Sequence, residues 1–213
     1  MTSKPDLDFK ILNRKRKTKD PCSGCWLHQD RCICHLIPSL DLKTRICLVI
    51  HKKELKRTTN TGQLALKSLV NSEIRIRGES DRKPLDLTDL LIPQYRTLLF
   101  FPSDDAAELT PEFVQSSSLP IQLIVPDGNW RQASKVHSRH LELRDVQKVK
   151  ISAANKSMYH LRTEHFPEGM ATLEAIAFAL GIIEGAEIKN ILLNLYQAKL
   201  KNTLLGRGQK IES

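Results

Sequence analysis

Residues 121–136 read IQLIVPDGNWRQASKV, an order of residue types that could support chemistry. The stretch 121–125 has the composition of a strand buried on both faces. Pro126 ends it, and Asp127-Gly128 is a turn signal that leaves a carboxylate at the strand's C-terminal edge. Gln132, Ala133, Ser134 and Lys135 then open a helix. Open α/β sheets gather ligands just outside the carboxyl ends of their strands. Strand-Asp-Gly-x-Trp-helix therefore has the layout of an active-site corner. The same residues also fit a plainer arrangement, in which Asp127 caps the helix and Trp130 packs in the core.

A second group with chemical potential is Cys22-x2-Cys25-x6-Cys32-x-Cys34, which places four of the five cysteines within 13 residues. Two close pairs joined by a short loop can wrap four sulfurs around one tetrahedral Zn(II) ion. Two disulfides are the competing pattern, but a reducing cytoplasm disfavours them and a Cys-x-Cys bridge is strained. Four thiolates also suit an iron–sulfur cluster. We expect structural zinc on these four cysteines. The shell is then closed, so the metal has no catalytic role. Cys47 falls in an apolar run and reads as a small buried residue.

These groups need a scaffold, and the rest of the chain has the pattern of one. The 213 residues can bury a proper core. Runs at 45–50, 97–101, 121–125 and 146–151 read as strands. Helical periodicity begins at 61–70 and recurs at 171–184, where Leu173, Ile176, Ala177, Leu180 and Ile183 share a face, and at 188–200. Residues 71–93 resist assignment. Strands alternating with helices predict an α/β fold with a mostly parallel sheet flanked by helices. No Gly-x-Gly-x-x-Gly follows a strand and no phosphate loop ends in Gly-Lys-Ser/Thr, so nothing supports the usual dinucleotide or nucleoside triphosphate sites.

The chain carries a net charge of +9. Residues 1–58 hold 14 Lys and Arg against 6 Asp and Glu, whereas the remaining residues are nearly balanced. The densest block contains Arg14, Lys15, Arg16 and Lys17. A basic block beside a structured site is the electrostatic footprint of a nucleic-acid partner, although a solvated arm has the same composition. No apolar run approaches the roughly 20 residues that span a bilayer, and the opening MTSKPDLDFK lacks the apolar segment of a secretory signal. We expect a cytoplasmic protein with no membrane partner. Its expected organisation is a basic flexible arm at 1–20, a four-cysteine zinc module at 21–38 and an α/β domain at 39–213.

Taken together, the cysteine cluster, His51-Lys-Lys-Glu54 with Arg57 and Asn60-Thr61-Gly62, Asp127-Gly128-Asn129-Trp130, Tyr159-His-Leu-Arg162 and Ala171-Thr172-Leu173-Glu174-Ala175 resemble the DTW-domain family of tRNA-uridine aminocarboxypropyltransferases. The resemblance covers essentially the whole chain. Two departures stand out: Asn129 where the name-giving motif has Thr, and Ala171 where Ser is usual.

The resemblance implies a fold related to the SPOUT methyltransferases, with a knotted C-terminal region that binds S-adenosylmethionine. It implies transfer of that molecule's 3-amino-3-carboxypropyl group to N3 of a tRNA uridine, with the variable loop as first choice of target and methylthioadenosine as by-product. On this reading Asp127 is the candidate base for the N3 proton, or else orients the donor. Phe101, Pro102, Ser103, Gly128, Asn129, Trp130, Ala171, Thr172 and Leu173 are expected to line the donor pocket. The start of the helix near Thr172 and the fork of Arg162 are expected to meet the donor's carboxylate. Arg57, Arg131, Lys135 and Arg162, with Arg14, Lys15, Arg16 and Lys17, are the expected RNA contacts. Two other activities fit less of the pattern: a non-catalytic zinc-bearing RNA-binding protein, and a methyltransferase using the same donor.

Overall fold

Three apolar runs, each closed by a turn, lie side by side at the middle of a six-stranded sheet. The computed structural model describes residues 18–55, 57–78, 85–151 and 170–208. Its strands are β1 (Arg45–His51), β2 (Ser72–Arg77), β3 (Arg96–Phe100), β4 (Ala107–Glu108), β5 (Ile121–Asp127) and β6 (Lys148–Lys150). They pair in the order β2-β1-β5-β3-β6-β4, every neighbouring pair parallel. The helices are α1 (Gly62–Ser68), α2 (Pro111–Gln115), α3 (Trp130–Arg139), α4 (Thr172–Ile183) and α5 (Ala186–Gly206). This is the mostly parallel, helix-flanked α/β sheet that the alternating pattern predicts.

Both faces of the sheet are buried, and alternate residues of one strand serve different cores. Leu48, Ile50, Leu123 and Val125 pack with Leu64 of α1, Leu173 and Ile176 of α4, and Leu192 and Leu195 of α5. Cys47, Val49 and Ile124 pack the other way, with Leu87, Leu90, Ala133 and Val136 of α3, and Leu143. Each fully buried aliphatic side chain contributes about 1.5–3 kcal/mol, so both faces hold β1 and β5 in place. That two-sided burial explains why these strands read as continuous apolar runs.

Several boundaries differ from the sequence reading. The strand expected at 97–101 starts one residue earlier and ends at Phe100, and that expected at 146–151 contracts to Lys148–Lys150. The helix expected from Gln132 begins at Trp130, and that expected at 188–200 runs from Ala186 to Gly206. Strand β2 occupies part of the unassigned 71–93 segment. Its sequence SEIRIR carries charge because it is an edge strand. Glu73 pairs with Arg45 at 2.9 Å, and Arg75 pairs with Asp89 at 2.7 Å.

The cysteine segment docks on the α1/α5 side. Leu27 and Ile33 belong to that core, Lys67 Nζ donates to the Gly24 carbonyl, and Lys199 Nζ donates to the Cys25 carbonyl, both at 2.5 Å. The knot implied for the C-terminal region depends on the path of residues 152–169, which lie outside the described residues, as does most of the basic arm. Among the described residues no helix is long and apolar enough to cross a membrane.

Candidate active site and metal centre

Asp127 is the last residue of β5 and faces the α1/α4 side of the sheet, 5 % exposed. Its Oδ2 accepts from Asn60 Nδ2 at 2.6 Å and its Oδ1 from Thr172 Oγ1 at 2.5 Å. The same junction is tied once more where the Leu173 N–H donates to Thr61 Oγ1 at 3.2 Å. Gly62 opens α1 directly beneath the carboxylate, and a Cβ there would lie 2.8 Å from Asp127 Oδ2. Three segments far apart in sequence thus close around one buried carboxylate at the carboxyl edge of the sheet. Asn60 and Thr61 were not among the expected site residues. The available signal was Asn-Thr-Gly immediately before a helix, with a carboxylate due at the next strand's end.

The plainer arrangement does not hold. The cap of α3 is Asn129, whose side chain accepts from the Gln132 N–H at 2.9 Å while Gln132 Oε1 accepts from the Asn129 N–H at 2.8 Å. This reciprocal pair satisfies two donors at the helix start, and Asp127 still lies within the strand. Gly128 makes the turn between them at φ +153°, where a Cβ would strike Gln132. Trp130 is 38 % exposed rather than packed in the core.

The residues expected to line one pocket fall into two groups. Thr172 meets Asp127 and Leu173 is tied beside it to Thr61, whereas Phe101 packs in the α3-side core with its ring 5.3 Å from that of Trp130. The His137 ring also stacks on Phe101, with centroids 6.2 Å apart. Pro102 and Ser103 continue from the end of β3. Asp127 follows the pleat of Leu123 and Val125, while the turn carries Trp130 to the opposite face. The N–H groups at the start of α4 are not all available to an anion either, because that of Leu173 is held by Thr61.

Among the expected RNA contacts, Arg57 is half-exposed and its Nε lies 3.3 Å from Oε1 of the fully buried Glu54. Arg131 and Lys135 lie on α3. Arg162 and residues 14–17 lie outside the described residues. Two basic residues not anticipated join them. Arg77 ends β2 and donates to the Gln132 carbonyl at 2.7 Å, and Arg139 ends α3. Burial, with Arg77 and two lysines nearby, holds the pKa of His51 below its usual range.

The four cysteine sulfurs lie within 4.8 Å of one another, a set that could hold a metal ion. Backbone N–H groups of Cys25 and Gly24 hold the Cys22 thiol down at about 6, whereas burial and the neighbouring sulfurs push Cys34 up to about 12. Sulfurs this close resist carrying several negative charges together, and a cation among them removes that penalty. The donor set therefore fits a thiolate-bound metal, and no pair is joined as a disulfide. Lys199, fully buried against the module, is pulled down to about 8 by desolvation although the thiols oppose the shift.

Comparison with known proteins gives consistent matches. A family profile described as DTW domain matches residues 19–204. The tRNA-uridine aminocarboxypropyltransferase 2 of Macaca fascicularis is 27% identical over 188 residues, covering 85% of this chain and 63% of that protein. The protein of the same name from Drosophila melanogaster is 30% identical over 177 residues, covering 81% of this chain and 67% of that protein. The tRNA-uridine aminocarboxypropyltransferase A of Arabidopsis thaliana is 28% identical over 209 residues, covering 84% of this chain and 79% of that protein. The chain thus spans less than two thirds of the length of the Macaca relative. A solved structure of the SAM-dependent rRNA:acp-transferase Tsr3 from Vulcanisaeta distributa superposes with a TM-score of 0.48 at 19% identity, over 76% of this chain and 77% of that one.

Proposed function

Because the chain belongs to the DTW-domain family, we propose that it transfers the 3-amino-3-carboxypropyl group of S-adenosylmethionine to N3 of a tRNA uridine, in the variable loop. The observation that carries this reading is the closure of Asn60, Thr61, Gly62, Thr172 and Leu173 around the buried Asp127. A purely structural turn has no need of a carboxylate clasped from two other elements at a sheet edge where ligands collect.

When bound, S-adenosylmethionine supplies the activated carbon: the N3–carbon bond forms as the sulfur–carbon bond breaks, methylthioadenosine leaves, and the N3 proton must go to a base. The residues present suit that donor. A carboxylate matches its cationic centre, and the exposed indole of Trp130 beside Phe101 offers an aromatic wall to a base. Pro102, Ser103, Gly128, Asn129, Ala171, Thr172 and Leu173 frame the same sheet edge and line the donor pocket. Asp127 accepts the N3 proton, or, clasped as it is by Asn60 and Thr172, fixes the orientation of the donor. Positioning dominates such a displacement in either role.

Arg57, Arg131 and Lys135, with Arg162 and the arm containing Arg14, Lys15, Arg16 and Lys17, supply phosphate contacts that give affinity without sequence information. Cys22, Cys25, Cys32 and Cys34 hold one structural zinc ion. The segments 1–20, 21–38 and 39–213 then act as RNA-binding arm, zinc module and catalytic domain. Thiolate ligands and a tRNA substrate both suit a reducing cytoplasm.

Mass spectrometry of the protein incubated with S-adenosylmethionine and unmodified bulk tRNA tests the proposal. The expected product is a uridine carrying the aminocarboxypropyl mass, with methylthioadenosine released. A methylated nucleoside with S-adenosylhomocysteine would instead make it a methyltransferase. Bound tRNA with no product would make it a binding protein.

A further inference from the structure

Several basic side chains around the sheet have acidic partners. Arg45 pairs with Glu73, Arg75 with Asp89, Arg57 with Glu54 and Lys148 with Asp105. The outer side of α3 differs. Arg131, Lys135 and Arg139 follow one another at intervals of four, so they form one stripe along the helix. Helical rise spreads them over about 12 Å. Arg77 comes alongside from β2, its guanidinium fixed by the Gln132 carbonyl. Among the described residues none of these four makes an ion pair. They feel one another instead: Arg139, then burial, then Arg131 and Arg77 hold the Lys135 ammonium below its usual range. Like charges at such spacing destabilise a helix, so folding alone gives no reason for the stripe.

The position of the stripe points to a ligand. Helix α3 starts three residues after Asp127, and Arg77 stands opposite His51 in the β1–β2 register, at the carboxyl edge where β1 also meets Asp127. A polyanion lying along α3 would reach the candidate active site at the helix N-terminus, beside the exposed Trp130.

We propose that Arg77, Arg131, Lys135 and Arg139 form one face that docks the sugar-phosphate backbone of the tRNA substrate and feeds it toward Asp127. This rests on the tRNA reading above and extends it from scattered basic residues to a defined surface. Arg77 is its preoriented member, since its bond to Gln132 fixes the guanidinium before RNA arrives. The three helical residues are its adaptable members.

The test is fluorescence anisotropy with labelled unmodified bulk tRNA over a series of KCl concentrations. Native protein is compared with Arg139→Gln, with Arg131→Gln/Arg139→Gln and with Arg77→Gln. Arg75→Gln, whose charge is already paired, is the control. Each lost phosphate contact should lower the slope of log affinity against log salt by about 0.7–0.9. The double variant should therefore lose roughly twice as much as Arg139→Gln, while S-adenosylmethionine binding measured by calorimetry stays native. Arg131 and Arg139 are exposed, so their replacement leaves folding intact even if Arg77→Gln loosens the β2–α3 contact. A native slope in the double variant would overturn the assignment of this face while leaving the tRNA reading in place. Equal losses in Arg75→Gln and the stripe variants would also overturn it, because binding would then follow net charge. Native protein that binds no tRNA would overturn the tRNA reading itself.

Discussion

Replacing Asp127 with alanine removes the acceptor of two buried hydrogen bonds, from Asn60 Nδ2 at 2.6 Å and from Thr172 Oγ1 at 2.5 Å. Each buried donor left without a partner costs about 1–3 kcal/mol, so the pair predicts a loss of about 2–6 kcal/mol. At about 2–4 °C per kcal/mol for a chain of this size, the melting point should fall by roughly 4–24 °C. Asparagine at 127 keeps the shape. Its carbonyl can accept from Asn60, and its amide can donate to the Thr172 hydroxyl, which reverses its role. Each bond then loses its charge assistance, about 1–1.5 kcal/mol, and the relief of a buried charge offsets part of that. Asp127→Asn should therefore melt clearly above Asp127→Ala.

Turnover separates the two roles that the clasp leaves to Asp127. A positioned general base is worth about a hundred- to ten-thousand-fold in rate. If Asp127 takes the N3 proton, Asp127→Asn should lose that much single-turnover rate while binding S-adenosylmethionine normally by calorimetry. If it orients the donor, binding should weaken instead. Asp127→Ala melting with the native protein would refute the clasp as a structural junction. Asp127→Asn with native binding and native turnover would refute both chemical roles.

Gly62→Ala places a methyl group 2.8 Å from Asp127 Oδ2 and 3.0 Å from Leu48 Cδ2. Overpacking of this kind costs about 1–3 kcal/mol, so the melting point should drop despite alanine's better helix propensity; an unchanged melt would mean that the junction has room. Native protein should carry one metal ion per chain by plasma mass spectrometry, and chelation should make four thiols reactive to Ellman's reagent. Cys47, whose thiol is pushed up chiefly by burial, should stay silent until denaturation; early labelling of a fifth thiol would contradict its core position. The hydrogen bond from Lys148 holds the Asp105 carboxyl down at about 2, against an ordinary value of 3.8. A depressed folded value means that its contribution is present above pH 3.8 and is lost as the pH falls through about 2. Carboxyl NMR should show that midpoint, and Lys148→Met should return it toward the ordinary value.

Much of this molecule was legible in the chain. The apolar runs of β1, β3 and β5 announce strands buried on both faces, and their order with the helices announces a parallel sheet. Cysteine spacing put four sulfurs within 13 residues, close enough to share one ion, and the fold gathers them within 4.8 Å of one another. Strand β2 escaped because an edge strand can keep charged side chains paired in solvent, and that removes the apolar signal. Strand β4 has two residues, too few for any pattern.

Local chemistry is written in local order, so the Asp127-Gly128 turn and the carboxylate at a strand end could be read directly. Trp130 reads as part of that corner for the same reason, whereas Asn129 joins it through the family resemblance. Which groups meet there could not be read, because that depends on the pleat and on segments more than forty residues away. The pleat puts Asp127 among α1 and α4 and the turn sends Trp130 to Phe101 on the other face. Only tertiary packing brings Asn60 and Thr172 onto the same carboxylate, and only the β2–α3 contact brings Arg77 beside the stripe of Arg131, Lys135 and Arg139. Sequence determined the parts and their periods, and the closing of the sheet under two helical layers decided which parts became neighbours.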